Sequence, residues 1–163
     1  MPEKEKKRLL DHLSNSHQAL AATIKDVDLD MPVYEDTNWR VRDILGHMAT
    51  WDRETAKSLR AYQAGSEYSI PDFDEDAYNQ QTVSDRRKLS GQQILDEFEG
   101  AYDEFRSAVQ EMPDERFPGD LLYPWGDERG NIATLVEYMI EHADEHNEEI
   151  KQATQDAEKD RDG

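Results

Sequence analysis

The chain has 163 residues, no cysteine, and 38 acidic against 19 basic side chains, a formal charge of −19 at neutral pH. Its length is that of one domain able to bury a core unaided. The missing cysteines exclude disulfides and thiolate metal sites, and the acidity argues against nucleic acid and anionic lipid surfaces as partners.

Helix formers dominate, and no alternating segment exceeds a few residues, so the sequence reads as all-α. The first helix is expected from about Glu3 to Lys25, with Leu9, Leu10, Leu13, Leu20 and Ile24 at helical spacing. The second opens near Asn38 or Trp39, with Asn38 as candidate N-cap, and runs to about Ala64, where Gly65 is a C-cap signal. Residues 65–89 are the least regular, although Asp74 to Arg86 can form a short extra helix. The third long helix opens at Ser90, where Gln93 three residues on completes a capping-box pattern, and Pro113 stops it. A long connection with Pro118, Gly119, Pro124, Gly126 and Gly130 follows, long enough to have a task such as covering one end of the molecule. Asn131 caps the fourth long helix, which carries Ile132, Leu135, Val136, Met139, Ile140 and Ile150.

Four apolar faces must share one core, and a four-helix bundle is the economical solution. The span between the second and third long helices leaves room for a crossover connection. Residues 1–155 are expected to form this single domain, and residues 156–163 a charged, disordered tail. The N-terminal MPEKEKKRLL has no apolar h-region, and nothing approaches the roughly 18 apolar residues of a membrane span, so a cytoplasmic protein is expected.

Of the five histidines, His142 and His146 are the informative pair. Residues four apart on a helix differ by about 40° in direction and about 6 Å in height, so both imidazoles lie on the stripe that carries Leu135, Met139 and Ile150. His47 falls on the core-facing stripe of its own helix, between Ile44, Met48 and Trp51. Three imidazoles in a core are costly unless satisfied, and one divalent metal ion would satisfy all of them. Three protein ligands leave a position open for water or substrate. The competing reading is a set of hydrogen-bonded core histidines, because HxxxH spacing is common. His12 and His17, five apart, point in different directions and are expected at the surface.

The segment Asn38-Trp39-Arg40-Val41-Arg42-Asp43-Ile44-Leu45-Gly46-His47 resembles the signature of the DinB-like superfamily, in which a Trp opens the second helix and a His follows two turns later. Glu141-His142-Ala143-Asp144-Glu145-His146 resembles the same superfamily's HxxxH on the fourth helix. The middle and late segments, Asp74 to Asn79 and Leu122 to Trp125, look most like the DfsB and ClbS branch. Arg40 departs from the usual Ser or Thr, and the complete His triad departs from a branch that often lacks it. The resemblance implies a four-helix bundle with His47, His142 and His146 around zinc, nickel or iron. It also implies a metal-dependent enzyme of detoxification or stress type, a hydrolase or thiol S-transferase that activates water or a low-molecular-weight thiol. The alternative is a non-catalytic metal- or small-molecule-binding stress protein of the same fold.

Glu54 and Glu149 lie at helical spacings that can bring a carboxylate to the pocket rim, as general base or as partner of a metal ligand. In so acidic a chain the competing reading for either is a solvated surface. Trp51, Tyr123 and Trp125 are candidate pocket residues that suit an apolar small-molecule substrate, or else plugs for the end of the core. The oligomeric state, a homodimer included, stays open.

Overall fold

The computed structural model describes residues 2–162. Its helices are α1 (Pro2–Ile24), α2 (Val41–Gln63), α3 (Glu75–Asp85), α4 (Gly91–Gln110) and α5 (Ile132–Asp162). A 3-10 turn at Asp114–Arg116 and a two-residue antiparallel ladder, β1 (Leu121–Leu122) with β2 (Arg129–Gly130), lie between α4 and α5. Helices α1, α2, α4 and α5 form a four-helix bundle.

Local chemistry sets the helix ends. Ser90 Oγ accepts from the Gln93 N–H (3.1 Å) and Gln93 Oε1 accepts from the Ser90 N–H (2.8 Å), so the capping box opens α4 as expected. Asn131 Oδ1 accepts from the Thr134 N–H (2.8 Å) at the start of α5. At the end of α2, Gly65 takes φ +83°, its N–H donates to the Tyr62 carbonyl, and the Ser66 N–H donates to the Ala61 carbonyl. That pair of reversed bonds is a Schellman motif. Asn38 does not cap α2: it sits in the left-handed region (φ +61°), and Arg40 occupies the cap position. Arginine offers no acceptor oxygen, so Asp43 compensates from inside the helix by accepting from the Arg40 backbone N–H (2.9 Å) and guanidinium (3.3 Å).

Side-chain pairs reveal the topology. Arg53 of α2 meets Glu97 and Glu104 of α4, and Arg60 meets Glu111, so the two helices advance together and are parallel. Arg8 and Ser16 of α1 likewise meet Glu137 and Asp144 of α5. The principal contacts join α2 with α4 and α1 with α5; lighter ones join α1 with α4 and α2 with α5. Because α2 and α4 run the same way, the segment between them must return along the bundle, and α3 lies on that crossover.

The core is split. Leu9, Leu13, Leu59, Phe105, Leu135 and Val136 belong to one apolar cluster; Leu20, Ile44, Leu45, Ile94, Phe98 and Ile150 belong to the other. On α1 and α5 the change of cluster falls at polar side chains, Ser16 and His17 on α1 and His142 on α5, and on α2 His47 lies within one turn of it. His17 is not a surface residue. Its ring stacks on Tyr102 (3.7 Å between centroids, 8°) and its Nε2 lies 2.9 Å from a Glu99 carboxylate oxygen.

One further departure from expectation is local. Helix α5 continues to Asp162 through the segment expected to be disordered, whose last residue, Gly163, lies outside the described residues. No Pro or Gly interrupts it between Asn131 and Asp162, Gln152 donates to Asp156 (2.9 Å), and Lys159 and Arg161 suit the negative end of the helix dipole. No helix among the described residues is long and apolar enough to cross a membrane.

Gly65→Ala places a Cβ on a left-handed residue and should cost about 1 kcal/mol. A urea midpoint indistinguishable from that of the parent chain would show that the crossover does not depend on this turn.

Candidate metal centre and its cavity

His47 on α2 and His142 and His146 on α5 come together at the level where the two apolar clusters meet. His142 Nε2 lies 3.1 Å from His47 Nε2 and 2.9 Å from His146 Nε2. The His47 ring centre is 5.0 Å from that of His142 and 5.3 Å from that of His146, so His47 stands level with the gap between them. Three nitrogens bound tetrahedrally at metal–nitrogen distances of about 2.0–2.1 Å would stand roughly 3.3 Å apart. The cluster therefore needs little adjustment to hold a divalent ion, and one ligand nitrogen from each ring lies within 4.8 Å of the others.

Protonation supports the same fit. Burial drives the His47 imidazole down to about 2, with the neighbouring rings adding to the effect, and drives His142 and His146 down to about 4. All three are neutral at pH 7 and offer lone pairs. His47 is packed against Trp39 (5.1 Å between ring centres), and its buried Nδ1 has no hydrogen-bond partner among the described residues.

His146 is oriented from behind. Its Nδ1 is 2.9 Å from the Tyr34 hydroxyl and 3.4 Å from a Glu149 carboxylate oxygen. Burial, together with the nearby Glu149 carboxylate, raises the Tyr34 phenol well above the usual range. With two oxygens facing Nδ1, the hydroxyl of Tyr34 and the carboxylate of Glu149, the arrangement suits a proton on Nδ1. It fixes the tautomer that leaves Nε2 free for an ion. Tyr34 carries no periodicity signal because it sits in the loop between α1 and α2, so it escaped the sequence reading.

In front of the imidazoles lies a cavity of about 360 Å³, bounded by His47, His142, Trp51, Phe73, Trp125 and Tyr138. Met139, Glu75 and Asp127 complete its wall. Trp51 comes from α2 one turn after His47, and Tyr138 and Met139 from α5 one turn before His142. Phe73 and Trp125 come from the two long connections. The Trp51 indole donates to Asn79 Oδ1 (2.9 Å), tying the wall to α3.

The remaining sequence candidates separate. Trp51 and Trp125 line the cavity. Tyr123 does not: it is fully buried beneath Trp125 (5.3 Å between ring centres), with its hydroxyl donating to the Asn131 carbonyl (2.8 Å). It plugs the core, the simpler of the two roles open to it. Glu54 is also outside the cavity wall. Its carboxylate is buried and accepts from Tyr68 and from Lys57 (3.0 Å), which pins the crossover to α2. Glu149 stands with Tyr34 behind His146 and not at the cavity. Asp52, beside Met48 and Phe105, faces the bundle interior, where desolvation pushes its carboxyl up to about 8.

Against families of known proteins, residues 10–144 match the model described as the mycothiol maleylpyruvate isomerase N-terminal domain. The chain belongs to this family. Among solved structures it is similar to an uncharacterised protein from Escherichia coli UTI89 (TM-score 0.75, 14% identity, 94% of each chain covered). It is similar as well to YfiT from Bacillus subtilis, described as a probable metal-dependent hydrolase with an unusual four-helix bundle topology (TM-score 0.74, 16% identity, 93% of this chain and 87% of that one). A third similar structure is the mycothiol-dependent maleylpyruvate isomerase (TM-score 0.74, 11% identity). There the match covers 89% of this chain but only 60% of the other, so this chain spans well under two thirds of that enzyme. At these identities the likeness is one of fold. No curated protein matches the sequence.

Tyr34→Phe removes the acceptor at His146 Nδ1 and should weaken divalent-metal binding about tenfold with an unchanged helical spectrum; equal affinity would exclude Tyr34 as the orienting group. Stability should also depend on pH. As pH falls below about 6.5, the ordinary histidine value, the unfolded chain protonates these imidazoles, while in the fold His142 and His146 resist until about 4. The unfolded state takes up protons first, so the urea midpoint of the metal-free chain should drop between pH 6.5 and 4. His142→Asn should make that slope shallower.

Proposed function

We propose that the chain is a metal-dependent enzyme of detoxification type, in which water or a low-molecular-weight thiol attacks an electrophile held in the aromatic cavity. The observation that carries the reading is the convergence of three neutral imidazoles, two of which, His47 and His142, line a cavity wide enough for a small molecule. His47, His142 and His146 would hold the ion (zinc, nickel or iron, all of which accept imidazole). When bound, a divalent ion supplies Lewis acidity that lowers the pKa of water or a thiol.

The protein's own groups provide the rest. Tyr34 and Glu149 hold His146 in its ligating tautomer, which is the partner role among the two open to Glu149. Trp39 fixes the face of His47. Trp51 and Trp125, with Phe73 and Tyr138, exclude water and hold an apolar substrate body. Glu54 acts at a distance, by anchoring the crossover that carries Phe73. The hydrolase arm is supported by the description of YfiT, and the thiol arm by the isomerase whose N-terminal domain names the family. The resemblance of Asp74 to Asn79 and Leu122 to Trp125 to the DfsB and ClbS branch favours a protective role against reactive small molecules.

Chelator-treated protein titrated with zinc, nickel and iron should take up one ion per chain. His142→Ala and His146→Ala should each weaken that uptake by at least about a hundredfold without unfolding the bundle. A screen of electrophiles, with water alone and with bacterial thiols, should then show turnover that requires the ion. A chain that stays empty in all three titrations refutes the proposal. One that fills but leaves no exchangeable position is a binding protein rather than an enzyme.

A further inference from the structure

The wall of the cavity has a chemical bias. Of its nine lining residues, Glu75 and Asp127 are acidic and none is Lys or Arg. Both acids are exposed, and among the described residues neither forms an ion pair. Basic side chains nearby are engaged elsewhere: Arg129 with Glu67 and Asp120, Arg86 with Glu97. Acids are frequent in this chain, but their field at the cavity mouth does not depend on why they are there.

A separate feature of the aromatic wall has the same sign. The Trp125 indole N–H donates to one oxygen of Glu128 (3.1 Å), and the Tyr138 O–H donates to the other (3.2 Å). A carboxylate that accepts from both rings leaves more negative charge on their π faces, the property that attracts a cation. Trp125 stands 6.3 Å from Trp51 and 6.2 Å from Tyr138 between ring centres, and Trp51 stands 5.6 Å from Phe73. The rings are tilted or edge-on to one another, in contact, rather than stacked face to face.

From this arrangement we infer that the cavity selects an organic cation: a molecule with an apolar or aromatic body and a protonated or quaternary amine, not an anionic substrate. The amine lies at the mouth among Glu75, Asp127 and the faces of Trp125 and Tyr138. The uncharged part of the molecule points to the imidazoles. A divalent ion held by the histidines would reinforce this orientation, because like charge would keep the ammonium group from the floor while Glu75 and Asp127 hold it at the rim. The inference rests on the proposed function in placing the reacting atom at the histidines, but the charge preference belongs to the cavity alone.

The test uses three probes of similar ring size: benzyltrimethylammonium, benzyl alcohol and benzenesulfonate. Each is titrated against the full chain by tryptophan fluorescence, first after chelator treatment and then after zinc loading. At about 0.15 M salt the cation should bind about tenfold more tightly than the alcohol, and the sulfonate should not bind measurably. In the double variant Glu75→Gln, Asp127→Asn the cation should lose most of its advantage while the alcohol binds as before; both sites are exposed, so folding should be intact. Trp125→Ala should weaken both the cation and the alcohol. Cation and alcohol binding equally, sulfonate binding best, or an advantage unchanged in the double variant would each overturn the inference. A chain that refuses zinc yet keeps the cation preference refutes the metal-enzyme reading and leaves this one standing; zinc uptake without the preference does the reverse.

Discussion

Three neutral imidazoles inside a helical bundle are the constraint on which the structure turns. Each has left water, and burial lowers their proton affinity far enough that none can recover charge at neutral pH. Their nitrogens meet only because α2 and α5 are neighbours in a fixed register. That register is not set by the histidines alone. Ser16 with Asp144 and Arg8 with Glu137 align α5 to α1, while Arg53, Glu97 and Arg86 align α2, α4 and the crossover. Two apolar clusters, one on either side of the polar level, supply the burial that makes the level worth its desolvation.

The topology then decides what surrounds the imidazoles. Parallel α2 and α4 require a connection that runs back along the bundle, and this connection brings Phe73 to the cavity and Asn79 to the Trp51 indole. The other long connection, closed by the short ladder and anchored by buried Tyr123, brings Trp125. The helices thus supply the ligands and the floor, and the loops supply most of the mouth. In a fold shared at 11–16% identity with structures of different description, loop residues are where specificity has room to differ. The acidic rim and the absence of any Lys or Arg on this wall are properties of these loops and of α3, not of the bundle.

Much of this was legible in the sequence because it depends on local chemistry. Helical periodicity gave four apolar stripes, Ser90 with Gln93 gave a cap, Gly65 gave a stop, and the spacing of His142 and His146 on one face followed from 3.6 residues per turn. The length of the 64–90 segment allowed the crossover. What was misread locally was misread for local reasons: Asn38 has the right oxygen for a cap, but the chain turns there through the left-handed region and Asp43 takes over the task. The charged end of α5 lacks apolar partners, yet nothing in it terminates a helix.

Tertiary structure decided the rest. No periodicity could tell that Tyr34 would reach His146 across 112 residues, that Tyr123 would be buried while Trp125 lined the cavity, or that Glu54 would be spent on Tyr68 and Lys57. A carboxylate two turns from a histidine on the same helix is near it in sequence, but its direction is set by whatever packs against that face. The sequence by itself determined that three histidines would face a common core; only the packing of loops against that core decided which polar groups would meet them, because hydrogen-bond partners distant in the chain are chosen by the fold and not by spacing.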